Sequence, residues 1–409
     1  MRGTFGRRAA WIMSGALMAV VVMSGSALAA PAGASEFYVP KANPDAIDQI
    51  AALRASGNRA DADLIQWLID QPSAVWFTSG SPKEVEQSVK ATVQRAAAKQ
   101  STPVLVAYNV PGRDCSQYSA GGAPTGDDYR AWIDGFTRGI GNHEVIVILE
   151  PDGIALTPTD CGQPDTFDRV ALIRYAVATL GAGAPNASTY LDAGHNAWHN
   201  VGDISSRLVA AGVGDAAGFY LNPSNYQFTE NVVQYGTWIS QCIALADYAN
   251  CPNQYWNGGP LPTKIAVLLG EWTGVALSPY GVWSDDSDDP ALNTSGINFR
   301  YRLTEGSTHF VVDTSRNGQG PWQPDAAYPS PEDWCNPPDR GVGIRPTRET
   351  GSELVDAFLW IKIPGESDGL CHRGTGGPED PARGMIDPAA GQWFPEMALE
   401  LVHNASPAP

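Results

Sequence analysis

Acidic side chains recur in this chain at one kind of place, the end of a short apolar run. VIVIL, residues 145 to 149, runs into Glu150, Pro151 and Asp152; PVLVAYNVPGRDC reaches Asp114; STYLDAGH reaches Asp192 and His195. Further on, HFVVDTSRNG reaches Asp313 and Arg316, and AFLWIKIPGESDG reaches Lys362, Glu366 and Asp368. Two neighbouring carboxyls resist double ionisation, so one of them keeps its proton near neutral pH and can act as a general acid. A further carboxylate across the scissile bond can activate water. The plainer alternatives are that Asp152 caps a helix, Asp114 orders a turn, and Lys362 pairs with Glu366 while Asp368 is solvated. Several acids arriving at equivalent places weigh against the first two.

Positioning these acids together requires strands that end on one side. A continuous apolar run closed by proline reads as a strand buried on both faces. Parallel strands, closed into a barrel or laid in an open α/β sheet, put all their C-terminal ends on one face. The intervening segments read as helices. Ser81-Pro82-Lys83-Glu84 is a capping box opening a helix to about Lys99, Tyr129, Trp132, Ile133, Phe136 and Ile140 keep helical spacing after Asp127, and a third helix is expected from about Thr166 to Leu180, closed by Gly181. Two stretches break the alternation. Residues 236–300 and 371–392, rich in Gly, Pro, Asp and aromatics, are expected as insertions bordering the cleft.

Residues 1–29 carry Arg2, Arg7 and Arg8, an apolar stretch and Ala27-Leu28-Ala29, the pattern of a secretory signal peptide. Its loss removes three arginines and no acids, moving the formal net charge from −18 to −21. So acidic a surface repels phosphate backbones, which excludes nucleic acid, and no other run has the length of a membrane span. With 13 Trp and 14 Tyr, neutral stackable ligands such as sugars fit better. Trp198 and Trp334 lie just beyond strand-end acids, where an indole can stack on a sugar ring.

Six cysteines in an exported chain imply three disulfides, and the expected pairs are Cys115 with Cys161, Cys242 with Cys251, and Cys335 with Cys371. No metal or cofactor is expected. The cysteine spacings fit no zinc motif, His195 and His199 lack the glutamate of a zinc helix, and the Ser284-to-Asp289 run lacks the glycine and glutamate of a calcium loop. Gly365 to Gly369 fits the G-x-S-x-G pattern of serine hydrolases around Ser367. No helix can follow it in GLCHRGTGGPEDP, however, so an esterase is set aside.

Six segments in order, AYNVPGRDCSQYSAGGAP, VILEPDGIAL, YLDAGHNAW, DTSRNGQGP, DWCNPPDRGVGIRPT and AFLWIKIPGESDG, resemble the defining segments of glycoside hydrolase family 6. The resemblance spans most of the chain and implies one catalytic domain over residues 30–409, a distorted seven-stranded parallel β/α barrel. It implies an exported, inverting cellulase acting on β-1,4-glucan or cello-oligosaccharides; endo action and a monomer are expected. The alternatives are a cellobiohydrolase with a loop-covered cleft and a carbohydrate-binding protein without turnover. By motif position, Asp152 resembles the general acid and Asp114 the acid that raises its pKa. Tyr108 would press on the sugar ring, Ser119 would hold the water chain, and Asp368 matches the candidate base, directly or through water. Trp198, Trp334, Lys362 and Glu366 match sugar-binding positions, with His195, Asp192 and Asn225 as supporting polar groups. The family's two usual disulfides correspond to Cys115 with Cys161 and Cys335 with Cys371. Departures are Asn109, where an acid is frequent, Ser367, where Cys or Ala is common, and the Cys242–Cys251 pair.

Overall fold

Seven of the short apolar runs form parallel strands hydrogen-bonded in chain order: β1 Val75–Phe77, β2 Val104–Ala107, β3 Val145–Leu149, β4 Ala187–Asp192, β5 Gly218–Leu221, β6 His309–Asp313 and β7 Val355–Leu359. The computed structural model describes residues 36–255 and 275–409. The expected leader and residues 256–274 of the expected insertion lie outside them. The described part falls in one compact unit, Ser35–Pro409.

Alternation along each strand divides two cores. Val104, Val106, Ile146, Ile148, Tyr190, Tyr220, Val311, Ala357 and Leu359 turn inward and fill the middle of the curled sheet. Leu105, Ala107, Val145, Val147, Leu149, Leu191, Phe219, Leu221, Phe310 and Val312 turn outward against the helices. Strands buried on both faces therefore read as unbroken apolar runs. Among the described residues no ladder joins β7 to β1. The seam is crossed by the Ala74 N–H donating to the Trp360 carbonyl at 2.9 Å and by the Trp76 indole donating to the Ile361 carbonyl at 2.9 Å.

Nine α-helices surround the sheet among the described residues: α1 Pro44–Ala55, α2 Arg59–Ile69, α3 Pro82–Ala98, α4 Gly126–Ile140, α5 Arg169–Gly183, α6 Val201–Ala210, α7 Thr229–Leu245, α8 Ser295–Tyr301 and α9 Pro395–His403. The capping box of α3 forms as expected, with reciprocal Ser81 and Glu84 bonds. α5 starts later than expected because the Asp168 side chain accepts the Ala171 N–H, and it continues past Gly181 to Gly183. α7 runs well into the stretch expected to be irregular, burying Tyr235, Trp238 and Ile239. Helices α1, α2 and α9 pack a separate apolar cluster against Trp360 and Trp393 beside the seam.

Candidate active site

The loops after the strands meet in a cleft of about 840 Å³. On one wall, β2 continues into Tyr108 and a turn holding Asp114, and β3 continues into a tight turn, Glu150-Pro151-Asp152-Gly153. Asp114, Glu150 and Asp152 all take positive φ, at 56°, 49° and 63°. Non-glycine residues adopt that region rarely, at a cost of about 1–3 kcal/mol each, so the surroundings must hold them there. Gly153 is required by space: a Cβ there would lie 2.6 Å from the Glu150 carbonyl oxygen.

A chain of contacts joins the two aspartates. The Ser119 N–H and hydroxyl both reach Asp114 Oδ2, at 2.6 and 2.8 Å; the Ser119 and Tyr108 hydroxyls lie 3.0 Å apart; and Tyr108 lies 3.4 Å from Asp152 Oδ2. Two hydroxyls supply two protons for three oxygen–oxygen contacts. The third must come from a carboxyl, so filling the chain leaves one proton on Asp152 or on Asp114. Burial, then the neighbouring Asp114, push Asp152 up to about 7. Burial also raises Asp114, against the Ser119 bonds and Arg113, which lower it. Arg113 pins this wall by donating to the Thr78 carbonyl at 2.8 Å and the Ser119 carbonyl at 2.9 Å.

The opposite wall treats its aspartate differently. Asp368 accepts Arg316 Nη1 on both oxygens, at 3.0 and 2.8 Å, the Tyr226 hydroxyl at 3.2 Å and the Asn336 N–H at 3.0 Å, with Lys362 Nζ 3.2 Å away. Burial alone would raise its pKa; the Arg316 and Lys362 charges override this and hold it below the usual carboxylate range. Arg316 is completely buried, with its guanidinium carbon 4.3 Å from the Tyr226 ring centre. Asp313 lies beneath, accepting the backbone N–H groups of Ser224, Ser315, Ile361 and Lys362, and so ties the loops after β5, β6 and β7 together.

Of the residues singled out in the sequence, Tyr108, Asp114, Ser119, Asp152, His195, Trp198, Asn225, Trp334, Lys362, Glu366 and Asp368 all line the cleft. Asp192 does not. It is buried beneath the floor, its Oδ1 accepting the Gly194 N–H at 2.9 Å, and burial and the Asp152 charge raise it to about 8. Burial lowers His195 to about 3; its Nδ1 accepts the Ala197 N–H, so the neutral ring carries its proton on Nε2. Glu366 reaches Asn43 at the start of α1. Pro279 and Tyr280, from the first stretch that breaks the alternation, and Ala390 and Gly391, from the end of the second, also line the cleft. The sequence reading left out Arg113, Tyr226 and Asn336 and gave Arg316 no role. Arg316 alone carried a signal, as a cation at a strand end beside an acid.

Disulfides secure both walls. Cys115–Cys161 ties the Asp114 turn to the segment after β3, Cys335–Cys371 ties the Asn336 loop to the one after Asp368, and Cys242–Cys251 closes the end of α7. Ser367 is fully buried with its hydroxyl on the Pro388 carbonyl, and His403 pairs with Asp61, so neither enters a serine triad with the other. His199 commits its ring nitrogens to Asp203 and the Ala155 carbonyl. Cys371, Asp380 and Asp387 lie close enough to share an ion, but the sulfur is in a disulfide and Asp380 binds Arg373.

A curled parallel α/β sheet with protonatable and ion-paired carboxyls at its strand ends defines a class of acid–base enzyme scaffold. The chain belongs to the glycosyl hydrolases family 6, whose sequence profile matches residues 32–405. It is similar to endoglucanase A of Cellulomonas fimi, 33% identical over 92% of this chain and 62% of the relative, and to endoglucanase 1 of Streptomyces halstedii, 31% identical over 89% and 88%. The chain thus spans less than two thirds of the Cellulomonas enzyme. Among solved structures it resembles the endoglucanase Cel6 from Mycobacterium tuberculosis, solved with methyl-cellobiosyl-4-deoxy-4-thio-β-D-cellobioside, at TM-score 0.63 and 33% identity over 90% of this chain and 96% of that one. The catalytic core of a Chaetomium thermophilum cellobiohydrolase shares the fold at TM-score 0.60 and 23% identity, over 92% and 98%.

Proposed function

We propose that this chain hydrolyses β-1,4-glucosidic bonds within glucan chains, with inversion at the anomeric carbon. The observation that carries this reading is Asp152: a carboxyl lining the cleft, within reach of the Tyr108–Ser119–Asp114 chain and raised to about 7 by burial and by Asp114, so that a large fraction keeps its proton and can donate near neutral pH. Asp152 gives its proton to the leaving glycosidic oxygen as that bond breaks. A water attacks the anomeric carbon from the opposite face, and the new bond forms as the old one leaves. The water's proton passes along a chain of further waters held by Ser119 and ends on Asp114, to which Ser119 is bonded. Asp368, kept ionised by Arg316 and Lys362, is a weaker proton acceptor and contributes a fixed negative charge to the cleft.

Tyr108 forms the floor between the acids. Trp198 and Trp334 are sugar platforms, and Lys362, Glu366, His195 and Asn225 are polar contacts along the glucan, with Asp192 supporting the floor from below. Similarity to the endoglucanases of Cellulomonas and Streptomyces supports cleavage within chains. Three disulfides, with the leader expected at residues 1–29, support export. The test is product stereochemistry. NMR during hydrolysis of a soluble cello-oligosaccharide should show the α-anomer first; the β-anomer first would reject the mechanism. On carboxymethyl cellulose, viscosity should fall well before reducing ends accumulate.

A further inference from the structure

Asp114 and Asp152 hang from different strands, so something must fix the distance between their loops. We infer that Glu150 does this, as a positioning residue that ties the loop after β2 to the turn after β3; the inference rests on the proposed role of Asp152. Glu150 is fully buried, so it does not meet substrate. Its Oε2 accepts two consecutive backbone N–H groups of the β2 loop, Asn109 at 2.8 Å and Val110 at 2.9 Å. Its own carbonyl accepts the Gly153 N–H at 2.7 Å, closing the turn that presents Asp152. One residue therefore grips the loop of one acid with its side chain and forms the turn of the other with its backbone.

Arg169 on α5 grips the same two segments from another side. It is also buried, and donates to the Pro111 carbonyl at 2.8 Å, the Gly112 carbonyl at 3.2 Å and the Gly153 carbonyl at 3.3 Å. The Tyr129 hydroxyl of α4 faces the carboxyl of Glu150. Asp152 itself is faced by Asp114, Tyr108, Arg169 and, from below, Asp192. Glu150 thus has two separable properties: its reach to the β2 loop, and an ionisable carboxyl opposite Arg169, which burial raises to about 7 against the Val110 and Asn109 N–H groups and the Arg169 charge.

Two substitutions separate them. Glu150→Asp keeps an ionisable carboxyl and withdraws it by one methylene; Glu150→Gln keeps an oxygen at full reach and cannot ionise. Both variants and Asp152→Asn are assayed for kcat, KM and pH profile on a soluble cello-oligosaccharide, with folding checked by thermal unfolding. Misplacing a reacting group by an ångström costs about 100-fold, so Glu150→Asp should lose kcat on that scale with KM little changed. The upper limb of its kcat/KM profile, set by Asp152, should move toward the ordinary carboxyl range as Asp114 drifts away. Glu150→Gln, which removes a second group raised to about 7, should retain far more of kcat and keep in place the part of that limb set by Asp152. A Glu150→Asp enzyme with native kcat and a native upper limb, whatever its melting temperature, overturns the inference. If Asp152→Asn itself keeps native turnover, the proposed hydrolysis has failed instead.

Discussion

Asp152 and Asp368 are the same residue type, each on a loop that follows a strand and facing one cleft, yet their proton affinities are shifted in opposite directions. Burial raises the pKa of both. What separates them is who donates. Asp152 has one hydroxyl contact, Tyr108 at 3.4 Å, and a carboxyl neighbour in Asp114. Arg169 stands near, but it donates to backbone carbonyls. Asp368 has a guanidinium on both oxygens, an ammonium, a phenol and a backbone N–H. Depth in the protein does not by itself assign a carboxyl to acid or base work; the charges placed around it decide.

The largest expected effect comes from removing the proposed proton donor. Asp152→Asn should lower turnover on carboxymethyl cellulose by about 10²–10⁴-fold, the range general acid catalysis contributes. The same variant should be more stable than the native protein at alkaline pH. A carboxyl raised in the folded state stabilises fully below its unfolded pKa, and that stability is lost as pH rises through the folded value of about 7. Above pH 7 the native fold therefore carries an unfavourable charge that asparagine lacks. A gain on the order of 2 kcal/mol by urea unfolding at pH 8 is expected, absent at pH 4. A variant no more stable at pH 8 than at pH 4, relative to native, would mean that Asp152 is not held protonated.

On the other wall, Arg316→Met attacks the pairing that keeps Asp368 charged. Removing one partner of a buried pair leaves the other uncompensated, at a cost of about 3–5 kcal/mol. Lys362 stays within reach of Asp368, so the lower end of that range is expected. The sign with pH is reversed here. A lowered pKa stabilises above the unfolded value and is lost as pH falls through the folded one. The gap between native and variant should be widest at neutral pH and narrow on acidification. A gap independent of pH would show that Arg316 acts by packing on Tyr226 and not by charge.

How far each wall was legible in the sequence follows the same divide. The acid wall is built from residues close to the ends of their own strands, so VIVILEPDGIAL and PVLVAYNVPGRDC pointed to it, and the six motifs sharpened it to Asp152 and Asp114. The ion-paired wall is assembled from segments 32 to 142 residues apart, with Asn336 and Tyr226 both on Asp368. No local pattern announces such contacts. Asp192 looked like the other strand-end acids, but it ends its strand facing inward, and the floor closes over it. The regular length of α7 was hidden because its buried Tyr235, Trp238 and Ile239 sit beside a loop-rich stretch that dominated the composition.

The smallest expected effect concerns the proposed aromatic platforms. Trp198 is half-buried, stacked on His199 at 5.1 Å and 21°, and that imidazole is fixed by Asp203 and the Ala155 carbonyl. Trp334 leans on Tyr118 at 6.0 Å and 49°, a looser support. A platform held in place before substrate arrives binds ground and transition states alike, so Trp198→Ala should raise KM and leave kcat unchanged. Aromatic contacts of this kind contribute about 0.5–1.5 kcal/mol beyond area, which corresponds to roughly a 2- to 12-fold rise in KM for a cello-oligosaccharide. Trp334→Ala should move KM less. A Trp198→Ala enzyme that loses kcat at constant KM would instead place that indole among the groups that act only at the transition state, beside Asp152, and the division between chemistry and binding along this cleft would have to be redrawn.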